Sequence, residues 1–304
     1  MADIERMNAL LINLYRRLQS ALRGYRLSRF RALRAVHIWV VRRLTQTLRP
    51  GIYKINGHPM YLSGTELSTG LSTAVEPDLI NYVASTVKPG VVVLDIGAHI
   101  GIFAVPCAHR VGLTGRVIAF EPDPTNCESL RKNVELNGLS NVVIVEKAAS
   151  STTASAVLHL SANNTGGHSL HAIPSDSLLY PPATNHASVA VLTVTVDGWL
   201  AEAGISKVDF VKIDVEGYES AVLQGMQHTL QDNLEIQVVM EYWPWHLCRV
   251  GVPVERPLQL MADLGFRFYL LESPIKPVTA NELTALRDSP MEGRLVLCRR
   301  ASQI

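Results

Sequence analysis

The sequence predicts an α/β fold: a doubly wound, mostly parallel sheet preceded by a basic helical arm. Three observations carry this. Apolar β-branched runs alternate with amphipathic segments from residue 77 onward, the rhythm of βαβ units. The first such run, Val91-Val-Val-Leu-Asp95, ends in an acid and then a glycine turn, Gly97 to Gly101, that opens a helix. The second run, 116–121, also ends in an acid, Glu121. In sheets of this kind ligands bind beyond the carboxyl ends of the strands.

The elements follow in order. Leu11, Leu14, Leu18 and Leu22, then Phe30, Leu33, Val36, Val40, Leu44 and Leu48, recur at helical spacing, so two helices are expected within residues 1–50. Arg49-Pro50-Gly51 stops the second. Residues 51–75 read as a hairpin and an entry loop. Helix 77–87 takes Pro77 in its first turn. Strand 91–95 leads to helix 101–110, and strand 116–121 to helix 124–137. Strands 142–146 and 156–160 follow. The segment 161–190 has no regular pattern, and irregular segments of that length in a compact domain are usually functional or disordered. Strand 191–196 precedes a short helix from Asp197. Strand 208–214 leads to helix 217–230, and strand 236–241 to a loop and helix 256–264. Strands 266–271 and 294–299 close the pattern. Two domains are expected: an arm, 1–50, and an α/β domain, 51–304.

Composition narrows the class. With 47% hydrophobic and 18% charged residues the chain is globular. The net charge of +1 hides an asymmetry. Residues 1–50 hold eleven arginines, no lysine and two acids, a net +9, while the remainder holds 17 bases and 25 acids, a net −8. The arm therefore reads as an amphipathic helix pair for an anionic membrane surface or a partner, or one that packs on its own domain. Arginine without lysine also suits phosphate. The same helices could form a homodimer. No run approaches the ~18 consecutive apolar residues of a membrane span, and no cleavage-like tail follows the early Ala9-Leu-Leu-Ile12 run. Cys107, Cys127, Cys248 and Cys298 show no Cys-x-x-Cys spacing, which argues against a zinc knuckle or a disulfide framework. The expected location is the cytoplasm, with membrane association through the arm.

The chemistry concentrates at three strand ends. Asp95 can accept a hydrogen bond from an ammonium group, and the glycine turn lets backbone approach a ligand without a Cβ between them. A carboxylate at Glu121 can bond both hydroxyls of a ribose. These suit a zwitterionic nucleoside such as S-adenosylmethionine. A dinucleotide fingerprint fits less well, because His99 holds its middle glycine position and the third glycine is missing. The third signal is Val208-Asp-Phe-Val-Lys212-Ile-Asp214-Val-Glu216-Gly-Tyr-Glu219. Period-2 alternation puts Lys212 and Asp214 on one face of a strand. Glu216 and Glu219 fall near the next helix start, where negative charge is favoured and where either could pair with Lys212.

The chain resembles FkbM-type methyltransferases, a family of S-adenosylmethionine-dependent O-methyltransferases. The matching pieces are Asp95-Ile-Gly-Ala-His-Ile-Gly101, Ala119-Phe-Glu-Pro-Asp123, Asn133 to Asn141, Lys147-Ala-Ala-Ser150, Thr195-Val-Asp197 and Lys212-Ile-Asp-Val-Glu-Gly-Tyr-Glu219. His99 stands where the family more often has asparagine; both can donate a hydrogen bond. The resemblance implies a Rossmann-like class I methyltransferase fold and O-methylation of a sugar, glycan or natural product. It assigns cofactor contacts to Asp95, Gly97, Ala98, His99, Gly101, Glu121 and Asn126, with backbone near Ala148 and Ala149 facing the adenine.

An alcohol is a poor nucleophile at neutral pH, so a general base should assist it. Asp214 is the first choice, with Glu216 beside it, and His168 is the second. Asp214 and Glu241, with Glu216, could instead hold a divalent cation, a reading the spacing does not favour. Tyr242, Trp243, Trp245 and His246 could form a stacking platform for a sugar face or an apolar scaffold, or Trp243 and Trp245 could pack under the following helix. A Rossmann oxidoreductase is disfavoured, since no lysine has a tyrosine four residues before it. A nucleic-acid methyltransferase using the arm is a rival, but no Asn-Pro-Pro-Tyr or Asp-Pro-Pro-Tyr block is present and the chain beyond residue 50 is acidic. A non-catalytic module with this fold is the remaining alternative.

Overall fold

The computed structural model describes residues 48–63, 66–67, 75–161, 165–172, 187–288 and 293–300. The expected arm lies outside the described residues except for Leu48, Arg49 and Pro50, and with it the dimer and membrane contacts assigned to it. Two compact units part between Val75 and Glu76. The described part of the first holds strands β1 (Gly51–Ile55) and β2 (His58–Leu62), an antiparallel hairpin. Asn56 and Gly57 at its tip both have positive φ, the two-residue turn whose twist matches a hairpin.

The second unit starts with helix α1 (Pro77–Thr86). Strand β3 (Val92–Ile96), helix α2 (Ala104–Val111), strand β4 (Arg116–Phe120), helix α3 (Pro124–Leu136) and strand β5 (Val142–Val145) follow. Three further strands, β6 (Ala148–Ala149), β7 (Ser155–His159) and β8 (Ser188–Val194), form their own sheet in the order β6-β8-β7. Helix α4 (Val196–Glu202) leads to strand β9 (Phe210–Ile213), then helices α5 (Glu219–Gln224) and α6 (Gln227–Asp232). Strand β10 (Gln237–Tyr242), helices α7 (Pro244–Arg249) and α8 (Glu255–Asp263), and strands β11 (Phe266–Leu270) and β12 (Lys276–Val278) come next. Helix α9 (Ala280–Thr284) and strand β13 (Arg294–Arg300) complete the unit.

The main sheet has eight strands in the order β12-β11-β13-β10-β9-β3-β4-β5. Its half from β10 to β5 is parallel, and β13 pairs antiparallel with both β10 and β11. From β3 the chain winds outward to β4 and β5, then returns to β9 on the other side of β3. That reversal opens the crevice where doubly wound sheets bind ligands.

Strand alternation builds two cores. Leu94, Ile96, Val211, Ile213, Val238 and Met240 face one side, and Val93, Phe210 and Val239 face the other with Leu79, Tyr82 and Val83 of α1. Both faces are covered, so the strands read as continuous apolar runs.

Three differences from the sequence pattern have local causes. The segment expected as one helix, 217–230, is α5 and α6 with a break at Gly225. A Cβ there would lie 1.9 Å from the Ser150 carbonyl oxygen, so the position takes glycine, a residue that weakens a helix. The stretch after β10, expected as a loop, is α7, which Pro244 starts. The run at 142–194 is divided between two sheets rather than joined to one.

Candidate active site

Register brings the acids together. Asp95 on β3 pairs with Lys212 on β9, and Met240 on β10 pairs with Ile213, which sets Glu241 beside Asp214. The Lys212 ammonium lies 3.0 Å from Asp214 Oδ2, 3.8 Å from Asp95 Oδ1 and 3.4 Å from the Gly97 carbonyl oxygen it donates to. Burial opposes its charge, but Asp214 and Asp95 outweigh that and hold it above the ordinary lysine range. Burial likewise works against Asp214, yet Lys212, with a hydrogen bond from Glu241, holds it below the usual carboxylate range. Glu241 moves the opposite way: burial first, then Asp214 and Glu216, push it well up, and it shares a hydrogen bond with Asp214. Asp214 is the open member, with a side chain 26% exposed against 0% for Asp95.

Asp95 carries an unmet demand. Both its carboxylate oxygens are buried and neither has a hydrogen-bond partner. Burial lifts the group to about 7 against the opposing pull of Lys212. A buried acceptor without a donor is costly, and an incoming ammonium would supply one. The residues present therefore fit a zwitterionic nucleoside at this end.

Glu121 follows β4. Its Oε2 accepts from the His99 amide at 2.8 Å, and its Oε1 from the Asp123 amide at 3.0 Å and Asn126 Nδ2 at 3.2 Å. Burial raises this carboxyl to about 7 despite those three bonds. Asn126 also donates to the Thr165 carbonyl at 3.2 Å. His99 has φ +51, and its Nε2 lies 2.8 Å from Thr165 Oγ1. Burial, with Lys212 and His168 nearby, lowers His99 to about 4, so its ring is neutral.

The glycine turn is also packed closely within the chain. The Gly97 and Ala98 amides both donate to the Phe120 carbonyl at 3.0 Å. A Cβ on Gly97 would sit 1.8 Å from the Asp214 carbonyl oxygen, and one on Gly101 2.6 Å from Leu130 Cδ1. Close packing of the turn against β9 and α3 accounts for both glycines. Ala148 and Ala149 are buried and paired in register with Thr193 and Val194.

The remaining candidates divide. Glu216, at φ +51, presents its carbonyl to Ser169 Oγ at 2.8 Å and His246 Nε2 at 3.2 Å. Glu219 accepts from the Gly217 amide at 3.1 Å instead of meeting Lys212. His168 Nδ1 accepts from the Ser161 amide at 3.0 Å, its Nε2 is 3.8 Å from Asp123 Oδ2, and its charge acts on His99. Asp214, Glu216 and Glu241 are the group among the described residues that could hold a metal, with ligand atoms within 4.8 Å of one another. The fold already gives Asp214 an ammonium on Oδ2 and a hydrogen bond with Glu241. Trp243 and Trp245 stack at 5.9 Å, with Arg249 4.9 Å over the Trp245 ring.

Sequence reasoning missed Glu76, whose charge acts on Lys212, Asp95 and Asp214. The one local signal was its position before Pro77 at a helix start, which says nothing of β9. Several family-like residues prove to be structural. Asn133 Nδ2 donates to the Ile100 carbonyl, Asn141 Nδ2 to Ala108 and Gly112, and Asp197 caps α6 through the His228 and Thr229 amides.

Known proteins resemble this chain. Two curated relatives are similar to it. The hexuronic acid methyltransferase AglP of Haloferax volcanii is 26% identical over 51% of this chain, and the match spans 58% of that relative's length. The 2-O-methyltransferase NoeI of Sinorhizobium fredii is 29% identical over 57% of this chain and 72% of its own length. Among solved structures, the O-methyltransferase from Bacillus cereus in complex with SAH overlaps at a TM-score of 0.43 with 12% identity, over 74% of this chain and 82% of that one. That overlap is distant and adds nothing to the strand order above. Residues 95–268, more than half of the chain, match the methyltransferase FkbM domain and span the crevice from Asp95 through Glu241. The chain belongs to the FkbM methyltransferase family, on a Rossmann-like class I methyltransferase fold.

Proposed function

We propose that this protein is an S-adenosylmethionine-dependent O-methyltransferase acting on a hydroxyl of a sugar, glycan or natural product. One observation carries the reading: three acids, Asp95, Glu121 and Asp214, stand at the carboxyl ends of neighbouring parallel strands at the reversal point of the sheet, and the Asp95 oxygens lack donors. The names of the two relatives support a sugar alcohol as the acceptor class.

The cofactor, when bound, supplies an electrophilic methyl on sulfur. Asp95 would receive its ammonium and Glu121 its ribose hydroxyls. Asp214 faces the acceptor. Its side chain is the more open of the paired carboxylates, so it can take the hydroxyl proton as the oxygen attacks in line. The new C–O bond forms as the C–S bond breaks, and the electron pair of the latter stays on sulfur.

The purified protein should bind S-adenosylhomocysteine by titration calorimetry. A panel of uronic acids and glycans incubated with the methyl donor should show, by mass spectrometry, a gain of about 14 Da on one acceptor. Asp214→Asn should lower kcat by about 100-fold or more while leaving S-adenosylhomocysteine affinity in place. Tight NAD binding with no response to S-adenosylhomocysteine would overturn the reading.

A further inference from the structure

The face of the sheet that carries Asp95, Lys212 and Asp214 is the face that α1 covers. Val93 and Phe210 share it by strand alternation, and Leu79, Tyr82 and Val83 of α1 pack there. The Tyr82 ring lies 6.4 Å from Phe210, at the start of β9. Glu76, six residues before Tyr82, caps the start of α1, and its charge reaches Lys212 and Asp214 at the far end of β9. The helix therefore runs back along the strand, which carries its first residue toward the crevice.

Glu76 is held there against its backbone preference. Its φ and ψ are +47° and +54°, a left-handed conformation, although Pro77 follows. A residue before proline is normally extended, and left-handed backbone is costly for residues other than glycine. The side chain makes no capping bond to α1, so helix capping does not explain the choice of residue.

The charges around it do not balance. Among the described residues Lys212 is the ammonium within 4 Å of Asp95 and Asp214, and it also feels the charge of Glu76. At 3.8 Å it leaves both Asp95 oxygens without a hydrogen bond. Surplus carboxylate in a buried crevice is stabilised by an added cation. The methyl donor brings a sulfonium and an ammonium against one carboxylate. Methyl transfer removes the sulfonium charge and leaves a neutral thioether.

Resting on the function proposed above, we infer that Glu76 makes the crevice selective for the sulfonium form, so that it holds S-adenosylmethionine more tightly than the S-adenosylhomocysteine product. Reactant is retained and product released by the same carboxylate.

Titration calorimetry on the full chain tests this with S-adenosylmethionine, S-adenosylhomocysteine and sinefungin, which carries an ammonium in place of the sulfonium methyl. Glu76→Gln should weaken S-adenosylmethionine and sinefungin by about tenfold and S-adenosylhomocysteine by less than about threefold. Glu76→Gly removes the charge and relieves the backbone, so it should keep or raise Tm while losing the same discrimination. If Glu76→Gln fails to fold, Glu76→Gly alone gives the result. Equal weakening of charged and neutral ligands, or no change in either, overturns the inference while the wild type still binds. A wild type that binds none of the three overturns the function proposal instead.

Discussion

Asp95 is the residue at which burial, charge and ligand meet. Burial, opposed by Lys212 and aided by Asp214, Glu76 and Glu121, lifts its carboxyl to about 7 from the usual range near 4. A cation binds the ionised form, so affinity for S-adenosylmethionine should rise with pH through that value and level off above it. Between pH 6 and pH 8 the gain should be up to about tenfold. Calorimetry at three pH values checks this, and Asp95→Asn should flatten the profile and weaken binding throughout. Glu121 also lies at about 7, but three donors already hold it. Its role toward neutral ribose hydroxyls depends less on charge, so Glu121→Gln should leave the Asp95 slope visible.

At the scale of elements, the turn between β3 and α2 fixes the crevice. Gly97 and Gly101 look equivalent in the sequence, yet their surroundings differ. At Gly97, with φ +82, a Cβ would meet the Asp214 backbone; at Gly101, with φ +91, it would meet the end of the flexible Leu130 side chain. Gly97→Ala should therefore cost at least about 3 kcal/mol or prevent folding. Gly101→Ala should cost about 1–2 kcal/mol, since Leu130 can turn aside. Urea denaturation of the two variants would show the difference, and equal losses would contradict it. The joint between α5 and α6 has the same character, because Gly225 lies against the Ser150 backbone.

Across the whole molecule the ionisable groups of the crevice set how stability depends on pH. Burial raises Asp95, Glu121 and Glu219 each to about 7, and shifts Glu76 and Glu241 upward too. An acid raised on folding stabilises below its unfolded value, and that stability is lost as pH climbs through the folded one. His99, His168, His171 and His246 are lowered by burial, so they favour the fold increasingly up to about pH 6.5 and are flat above it. From about pH 6.5 to 8 the acids act alone. Differential scanning fluorimetry of the cofactor-free protein should show Tm falling across that interval. Saturating S-adenosylmethionine should reduce the fall by neutralising the crevice; a flat or rising Tm without cofactor would count against the buried acids.

The sequence alone determined the α/β rhythm, the acids at three strand ends and the family pattern, because each is a local matter of periodicity or of a short motif. It placed Lys212 and Asp214 on one face correctly, since strand alternation is strict. It could not show why Gly97 is glycine, because the atom it avoids belongs to Asp214, more than a hundred residues away. Nor could it show why position 225 is glycine, because the atom a Cβ would meet belongs to Ser150. Only the tertiary structure decided that one lysine serves the carboxylates of β3, β9 and the start of α1. That charge surplus arises from strand order and helix docking, which bring distant acids into one buried space.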